Sequence, residues 1–309
     1  MSLSGLVLGG AFALDVLVGE PPRRLHPVAW FGRLVGYVDG EWQRPRLVGT
    51  AAAVCLPLLA ALVVAGLVVA VGTVDPRAGA LVGALAVFVS TSLRRLIERV
   101  REVTARTEDD VETARERLRA LAGRDAAALS PGQIRSAAVE SLAENLADGL
   151  VAPLSGYALF AAAATALGLS PLSAVACGCG GAAWVKAVNT LDSMLGYRSK
   201  PVGWAPARLD DAVMWIPARL SALLLAVVSR APLALVRARR WTGDLASPNS
   251  GWPMGTLAGI LDVRLEKPGH YTLNEDAALP DAARAGVAVR KVALTGVVAY
   301  ALTGVVTWT

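Results

Sequence analysis

Three carboxylates recur every four residues in one short stretch of the chain. Glu140, Glu144 and Asp148 have this spacing, and no basic residue lies between them. Residues four apart project from the same side of an α-helix, so the three carboxylates are predicted to share a face. Like charges at this spacing repel one another. A hard cation such as Mg²⁺, which prefers oxygen ligands, would offset the repulsion. Simple exposure to water, or pairing with nearby arginines, is the alternative.

A second polar run closes a long apolar segment. Residues 149–185 carry no charge, and Lys186, Asn189, Asp192 and Arg198 follow. If a helix continues through this run, Asn189 and Asp192 are neighbours on its surface. The run offers oxygen ligands for a metal and hydrogen-bond donors for phosphate oxygens. The competing interpretation is that these side chains only cap the helix end and extend to the membrane surface. It explains Lys186 well and the pair Asn189 and Asp192 less well.

Two further runs add arginines, aspartates and a turn. Arg208, Asp210, Asp211 and Arg219 frame an apolar segment. An arginine within such a segment usually faces protein or a water-filled cavity. The two arginines are predicted to grip phosphate and the aspartates to ligate a metal or orient the arginines. A purely structural Arg–Asp network is the alternative. The run S-P-N-S-G-W-P over 247–253 is typical of a turn.

Composition indicates the elements that must position these residues. Of the 309 residues, 54% are hydrophobic and only 18% are charged, which is too little polar surface for a soluble globule of this size. Because a helical crossing needs about 20 mostly apolar residues, we predict an all-α, polytopic integral membrane helical bundle forming a single domain over 1–309. The predicted spans are about 3–19, 48–72, 78–93, 150–168, 171–188, 212–229 and 286–308.

The distribution of charge predicts a topology. The net charge is +5, but the basic residues lie mainly between apolar blocks and form no continuous stripe, so no nucleic acid is expected. The segment at about 94–135 is predicted to be a charged helix pair in the cytoplasm, which places the 20–47 and 189–211 loops there too. A crossing at 212–229 would place the arginines that follow it in the sequence outside the cell, which conflicts with the tendency of positive charge to stay on the cytoplasmic side. A re-entrant or interfacial hairpin over about 212–236 resolves the conflict.

Several familiar motifs are missing from the chain. Its three cysteines, Cys55, Cys177 and Cys179, lie in apolar blocks and form no disulfide framework. The glycines around the last two are interpreted as small residues that let helices approach closely. The sequence contains no G-x-x-x-x-G-K-[ST] loop. The polar runs themselves must therefore carry any chemistry.

Taken together, the polar runs resemble one family. They are His26-Pro27, V-E-S-L-A-E-N-L-A-D-G-L-V-A-P over 139–153, N-T-L-D-S-M-L-G-Y-R over 189–198, R-L-D-D over 208–211, W-I-P-A-R-L over 215–220 and S-P-N-S-G-W-P over 247–253. This combination and order resemble the CobD/CbiB family of cobalamin biosynthesis, the adenosylcobinamide-phosphate synthases, over essentially the whole chain. The sequence departs from the expected pattern at Met214, where asparagine is expected, and at Met254, where an acid is expected.

The resemblance implies a ligase reaction in the cell membrane, with the active-site loops facing the cytoplasm. The propionate carboxyl of adenosylcobyric acid would be joined to the amine of (R)-1-aminopropan-2-ol O-phosphate, giving adenosylcobinamide phosphate. ATP is expected as co-substrate and Mg²⁺ as cofactor, with no tightly bound organic cofactor. The expected partners are the corrinoid, the aminoalcohol phosphate, the lipid bilayer and other enzymes of the cobalamin pathway.

With this resemblance, roles can be assigned to individual residues. The predicted catalytic residues are Glu140, Glu144, Lys186 and Asp192. The predicted metal ligands are Glu140, Glu144, Asp148, Asp192, Asp210 and Asp211. The predicted substrate-binding residues are His26, Asn145, Asn189, Arg198, Trp204, Arg208, Trp215, Arg219, Asn249 and Trp252. The alternatives are a multi-pass transporter for a corrinoid or other anionic solute, and a non-catalytic membrane scaffold.

Overall fold

The chain is built almost entirely from helices. The computed structural model describes residues 2–122, 126–197, 199–243, 245 and 247–308. The helices before the charged segment are α1 (Leu3–Leu17), α2 (Pro27–Gly36), α3 (Pro45–Gly72) and α4 (Pro76–Ser90). They are followed by α5 (Arg94–Thr104), α6 (Val111–Ala122), α7 (Pro131–Leu146), α8 (Ala152–Ala166), α9 (Pro171–Leu195) and α10 (Trp204–Val213). The last helices are α11 (Trp215–Ser229), α12 (Leu233–Trp241), α13 (Gly251–Leu261) and α14 (Ala282–Val306).

The predicted all-α membrane architecture is confirmed. Among the described residues, five helices are long and apolar enough to cross a membrane, or six if α10 and α11 together form one broken span. The 15 residues of α1 rise only about 22 Å, which is short of a bilayer core about 30 Å thick. Sequence reasoning missed one small feature, an antiparallel hairpin of β1 (Leu265–Lys267) and β2 (Tyr271–Leu273).

The chain divides into two compact units. Unit 1 contains residues 1–92, 148–214 and 299–309. Unit 2 contains residues 93–147 and 215–298. The single domain expected over 1–309 stays a prediction.

Close helix packing in unit 1 depends on glycine. A Cβ atom added to Gly156 of α8 would lie 2.7 Å from the carbonyl oxygen of Gly181 on α9. One added to Gly180 would lie 3.0 Å from the carbonyl oxygen of Ala61 on α3. Backbones this close leave no room for a side chain, which is how small residues bring membrane helices together. Cys179 is buried beside these glycines as a free thiol.

Unit 2 contains the charged segment, which forms the predicted helix pair. On α5 the residues Leu96, Val100 and Val103 are buried, so the apolar positions at helical spacing do face inward. Helix α7, which follows this pair, begins after Ser130-Pro-Gly-Gln133, a run whose serine and glutamine spacing is typical of a capping box. Ser130 Oγ accepts a hydrogen bond from the Gln133 backbone N–H at 3.3 Å, and Gln133 Oε1 accepts one from the Ser130 N–H at 2.9 Å.

The helix that carries the three carboxylates does not end where the apolar run begins. The prediction started a span at 150, whereas a single apolar helical stretch runs from Pro131 to Ala166. A π-helical turn, Ala147–Val151, joins α7 to α8 and contains Asp148. Such turns recur at functional sites because they interrupt the regular hydrogen-bond ladder and redirect side chains. The regular four-residue repeat therefore stops at Asp148.

The predicted hairpin over 212–236 can be tested by labelling. Met214 separates α10 from α11, and α12 follows after a short turn. In a chain without its native cysteines, we expect Leu245→Cys to resist a membrane-impermeant maleimide applied to intact cells. Val74→Cys is the control that should react, because Val74 lies in the turn between α3 and α4 and is 88% exposed. Labelling of Leu245→Cys from outside would show instead that α11 crosses the membrane.

Candidate functional site

The polar residues of unit 1 meet around Asn189. The side-chain amide of Asn189, on α9, lies beside both Asp148 in the π turn and Asp210 on α10. Three separate elements thus meet at one amide group, which has two N–H donors and can serve two carboxylates at once. Asn189 and Asp192 lie on one continuous helix, as the sequence predicts.

Negative charge exceeds positive charge around this amide. Asp192 interacts electrostatically with the other members of what we call the aspartate cluster, defined as Asp148, Asp192, Asp210 and Asp211. Lys186 is the cation next to Asp148 and also interacts with Glu20, and Arg208 is the cation next to Asp211. Among the described residues, the four carboxylates of the cluster thus interact with two cations, an arrangement that favours binding of a further cation.

The aspartate cluster fits a magnesium ion that arrives with a phosphate group. Asp210 Oδ1 is buried and has no hydrogen-bond partner among the described residues. The same part of the chain contains no group of three or more His, Cys, Asp or Glu residues arranged to hold a metal. Magnesium commonly takes only one or two carboxylates from the protein and completes its shell with water and substrate phosphates. The metal roles of Asp148, Asp192, Asp210 and Asp211 stay predictions.

His26 is built into the start of a helix. Its Nδ1 accepts a hydrogen bond from the Val28 backbone N–H at 3.3 Å, which caps α2 just before Pro27. Burial lowers the pKa of the imidazole; nearby Lys186 lowers the pKa further, and Glu20 opposes this. The folded chain therefore favours a neutral His26. Its predicted role in substrate binding stays a prediction.

The lowered pKa of His26 makes the stability of the folded chain depend on pH. Because its pKa in the folded chain lies below 6.5, the unfolded chain binds more protons as the pH falls through 6.5. The stability contributed by neutral His26 is therefore present above pH 6.5 and lost during acidification. His26→Asn keeps a capping acceptor and removes the titration, so its Tm should fall less below this pH. His270 is exposed, so the His270→Asn control should show the same dependence of Tm on pH as the unmodified chain. An equal dependence of Tm on pH in the two variants would contradict the assignment to His26.

In unit 2, Glu140 is completely buried and joins α7 to the β-hairpin. Its Oε1 accepts a hydrogen bond from Ser136 Oγ at 3.0 Å, and its Oε2 accepts one from the Tyr271 hydroxyl at 2.8 Å. Ser136 Oγ in turn accepts from the Glu266 backbone N–H at 2.8 Å. The Tyr271 hydroxyl also lies 3.9 Å from Sδ of Met254, so an acid at that position would bring a second carboxyl group towards Glu140. The catalytic and metal roles of Glu140 stay predictions.

Sequence reasoning missed both hydroxyl donors to Glu140. Ser136 stands four residues before Glu140 on the same helix, so the helical repeat could have shown it. No local pattern indicates Tyr271, which is 131 residues away along the chain. The neighbouring predicted residues are less buried: Glu144 is half-buried, and Asn145 donates hydrogen bonds to the carbonyl and hydroxyl of Ser141. Their predicted roles stay predictions.

Arg219 brings together a second group of predicted residues in unit 2. Its guanidinium carbon lies 4.4 Å from the ring centre of Trp215 and 5.3 Å from that of Trp252. The guanidinium donates hydrogen bonds to the Trp215 carbonyl at 2.9 Å, to Asn249 Oδ1 at 2.8 Å and to the Pro248 carbonyl at 3.2 Å. Arg219 thus holds the 247–253 turn against α11. Three of its five N–H groups are already used, which leaves fewer donors for a phosphate.

The remaining predicted residues are distributed as follows. Trp204 is 52% exposed, and the guanidinium of Arg46 lies 5.8 Å from its ring centre. Arg198 lies outside the described residues. The unit 1 set of predicted residues is His26, Asp148, Lys186, Asn189, Asp192, Trp204, Arg208, Asp210 and Asp211, and the unit 2 set is Glu140, Glu144, Asn145, Trp215, Arg219, Asn249 and Trp252.

Comparison with known proteins identifies similar chains over nearly the whole length. Residues 8–297 match the family described as CobD/Cbib protein. The "Probable cobalamin biosynthesis protein CobD" of Methanothermobacter thermautotrophicus is 34% identical over 86% of this chain and 85% of its own. The "Cobalamin biosynthesis protein CobD" of Rhizobium meliloti is 35% identical over 98% of this chain and 94% of its own. That of Sinorhizobium fredii is 36% identical over 86% and 82%. No solved structure matches the chain.

Proposed function

The chain belongs to the CobD/CbiB family of cobalamin biosynthesis, and from this premise we propose that it catalyses an amide-bond ligation. The substrates are adenosylcobyric acid and (R)-1-aminopropan-2-ol O-phosphate, and the product is adenosylcobinamide phosphate. The observation that carries the proposal is the convergence of Asp148, Asn189 and Asp210, with Lys186 alongside. Such a group of carboxylates beside a half-buried cation suits phosphate and acyl chemistry better than a passive scaffold.

The reaction needs an activated carboxylate, because a carboxylate is a poor acyl electrophile. In the first step, an oxygen of the corrinoid propionate forms a bond to the terminal phosphorus of ATP, and ADP leaves. In the second step, the amine nitrogen attacks the acyl carbon and inorganic phosphate leaves with the C–O bonding electrons. The amine loses one proton. The balance is one ATP consumed, and one amide, one ADP and one phosphate formed.

The residues of unit 1 supply three functions for these steps. Lys186 and Arg208 stabilise the phosphate oxygens on which negative charge develops. Asp192 lies within the aspartate cluster and is the base proposed to accept the proton from the amine. Asp210 and Asp148 would hold Mg²⁺, which when bound neutralises phosphate charge.

The proposal is tested by reconstituting the reaction. Purified protein is incubated with adenosylcobyric acid, ATP, Mg²⁺ and the aminopropanol phosphate, and the coupled corrinoid is sought by mass. Equal amounts of coupled product and ADP are expected, and omission of either the amine or ATP should abolish the product. Corrinoid flux into proteoliposomes without covalent product would reject the ligase in favour of the transporter alternative.

A further inference from the structure

Helix α12 packs on its neighbour through very small residues. Its inner face presents Ala234 and Ala238, which are 3% and 0% exposed. A Cβ atom added to Gly255 of α13 would lie 3.2 Å from the Ala238 Cβ, and one added to Gly259 would lie 3.4 Å from the Ala234 Cβ. The two helices of unit 2 are thus in close contact, and every large side chain of α12 points elsewhere or lies at its edges.

The opposite face of α12 combines apolar and basic side chains. At about 100° per residue, Leu233, Val236 and Arg240 project away from the two alanines, with Arg237 and Arg239 on either side. Leu233 is 70% exposed and Val236 is 56% exposed. The apolar pair occupies the first half of the helix and the arginines occupy the second half. The outer face of α12 is therefore apolar towards the start of the helix and basic towards its end.

Among the described residues, the positive charge of this face is largely unbalanced. Arg237 approaches Asp262 only to 3.8 Å, with both side chains more than half exposed. The described part of the chain contains no acidic partner for Arg239 or Arg240. A face with three arginines beside two exposed aliphatic side chains is unfavourable in plain water, because the aliphatic area stays hydrated.

We propose that the outer face of α12 binds the phosphate headgroups of anionic phospholipids. Leu233 and Val236 would enter the acyl boundary, while Arg237, Arg239 and Arg240 would contact phosphate oxygens at headgroup level. Guanidinium groups suit this contact because they donate paired hydrogen bonds to phosphate. A soluble anion such as a nucleotide would satisfy the arginines but leave both aliphatic side chains in water. This inference concerns lipid binding and does not depend on the ligase proposal.

The test measures stabilisation of the detergent-purified full chain by lipid. Phosphatidylglycerol is expected to raise the Tm more than phosphatidylcholine at equal concentration. In the double variant Arg239→Gln/Arg240→Gln, which keeps helix propensity, the phosphatidylglycerol-specific rise should fall by about half or more, since each arginine near an anionic surface contributes separately. Added NaCl should weaken the effect in the unmodified chain.

The matched control is Arg106→Gln/Arg119→Gln, which removes two exposed arginines from elsewhere in unit 2. Both double variants lower the formal net charge from +5 to +3, since each loses two of the arginines counted in the total. The control should keep the full lipid effect. An equal loss in both variants, an undiminished effect in the α12 variant, or equal stabilisation by the two lipids would overturn the proposal. So would full stabilisation by glycerol phosphate alone, which would indicate a soluble anion instead.

Discussion

Lys186→Met is expected to abolish nearly all coupling of the corrinoid to the aminopropanol phosphate, with turnover falling by about 100-fold to 1,000-fold. Methionine has a similar shape but no charge. Its presence would remove the cation next to Asp148 and Glu20 and leave the aspartate cluster to repel incoming phosphates. The measurement is the rate of formation of coupled corrinoid by mass, with a melting curve to confirm that the variant is folded.

The matched control for this prediction is Lys200→Met. Lys200 pairs with Asp39 at 2.7 Å, and both side chains are more than one-third exposed. Exposed pairs contribute little to stability, so this variant should retain normal turnover. Lys186→Arg keeps the charge and should recover part of the activity. Normal turnover in a folded Lys186→Met chain would remove Lys186 from the proposed chemistry.

A double variant separates a catalytic role of Lys186 from a structural one. Lys186 and Asp148 are both half-buried and interact electrostatically. Losing one of two such opposite charges is more costly than replacing both, because an uncompensated charge remains. Lys186→Met/Asp148→Asn should therefore melt at a higher temperature than Lys186→Met while staying inactive. Recovery of activity together with stability would mean that the pair only supports the fold.

Tyr271→Phe is expected to destabilise unit 2 by about 2 kcal/mol. The substitution removes the hydroxyl that donates to Oε2 of the fully buried Glu140 at 2.8 Å. A buried carboxylate left without one of its donors bears the desolvation cost of that oxygen. Thermal or denaturant unfolding of the purified chain measures the loss, and Tyr37→Phe, at a residue that is 81% exposed, should leave stability unchanged.

The partner substitution shows whether the two residues act together. Glu140→Leu removes the buried carboxyl group, and the double variant Glu140→Leu/Tyr271→Phe should cost less than the sum of the two single changes. A coupling of about 0.5–3 kcal/mol is typical of groups in direct contact. Strict additivity would indicate that the Tyr271 hydroxyl contributes nothing through Glu140.

The polar runs differ in how far local patterns could place them. Asn189 and Asp192 were predicted as neighbours because they lie on one helix, α9, whose spacing is regular. The four-residue spacing of Glu140 and Asp148 does not predict the contacts that these two side chains make. Glu140 contacts Ser136 and Tyr271, whereas Asp148 contacts Asn189 across a π turn that no spacing rule predicts.

The sequence alone determined the protein class, the approximate positions of most apolar helices, the charged helix pair, the capping box and the family. These properties follow from composition and from repeats within single segments, where the bilayer and the helix period act on neighbouring residues. Only the tertiary structure decided that Asp148 and Asp210 share the Asn189 amide, and that a hairpin tyrosine reaches Glu140. Contacts between residues far apart in the chain depend on how helices pack, and helix packing depends on side-chain volumes that no local repeat records.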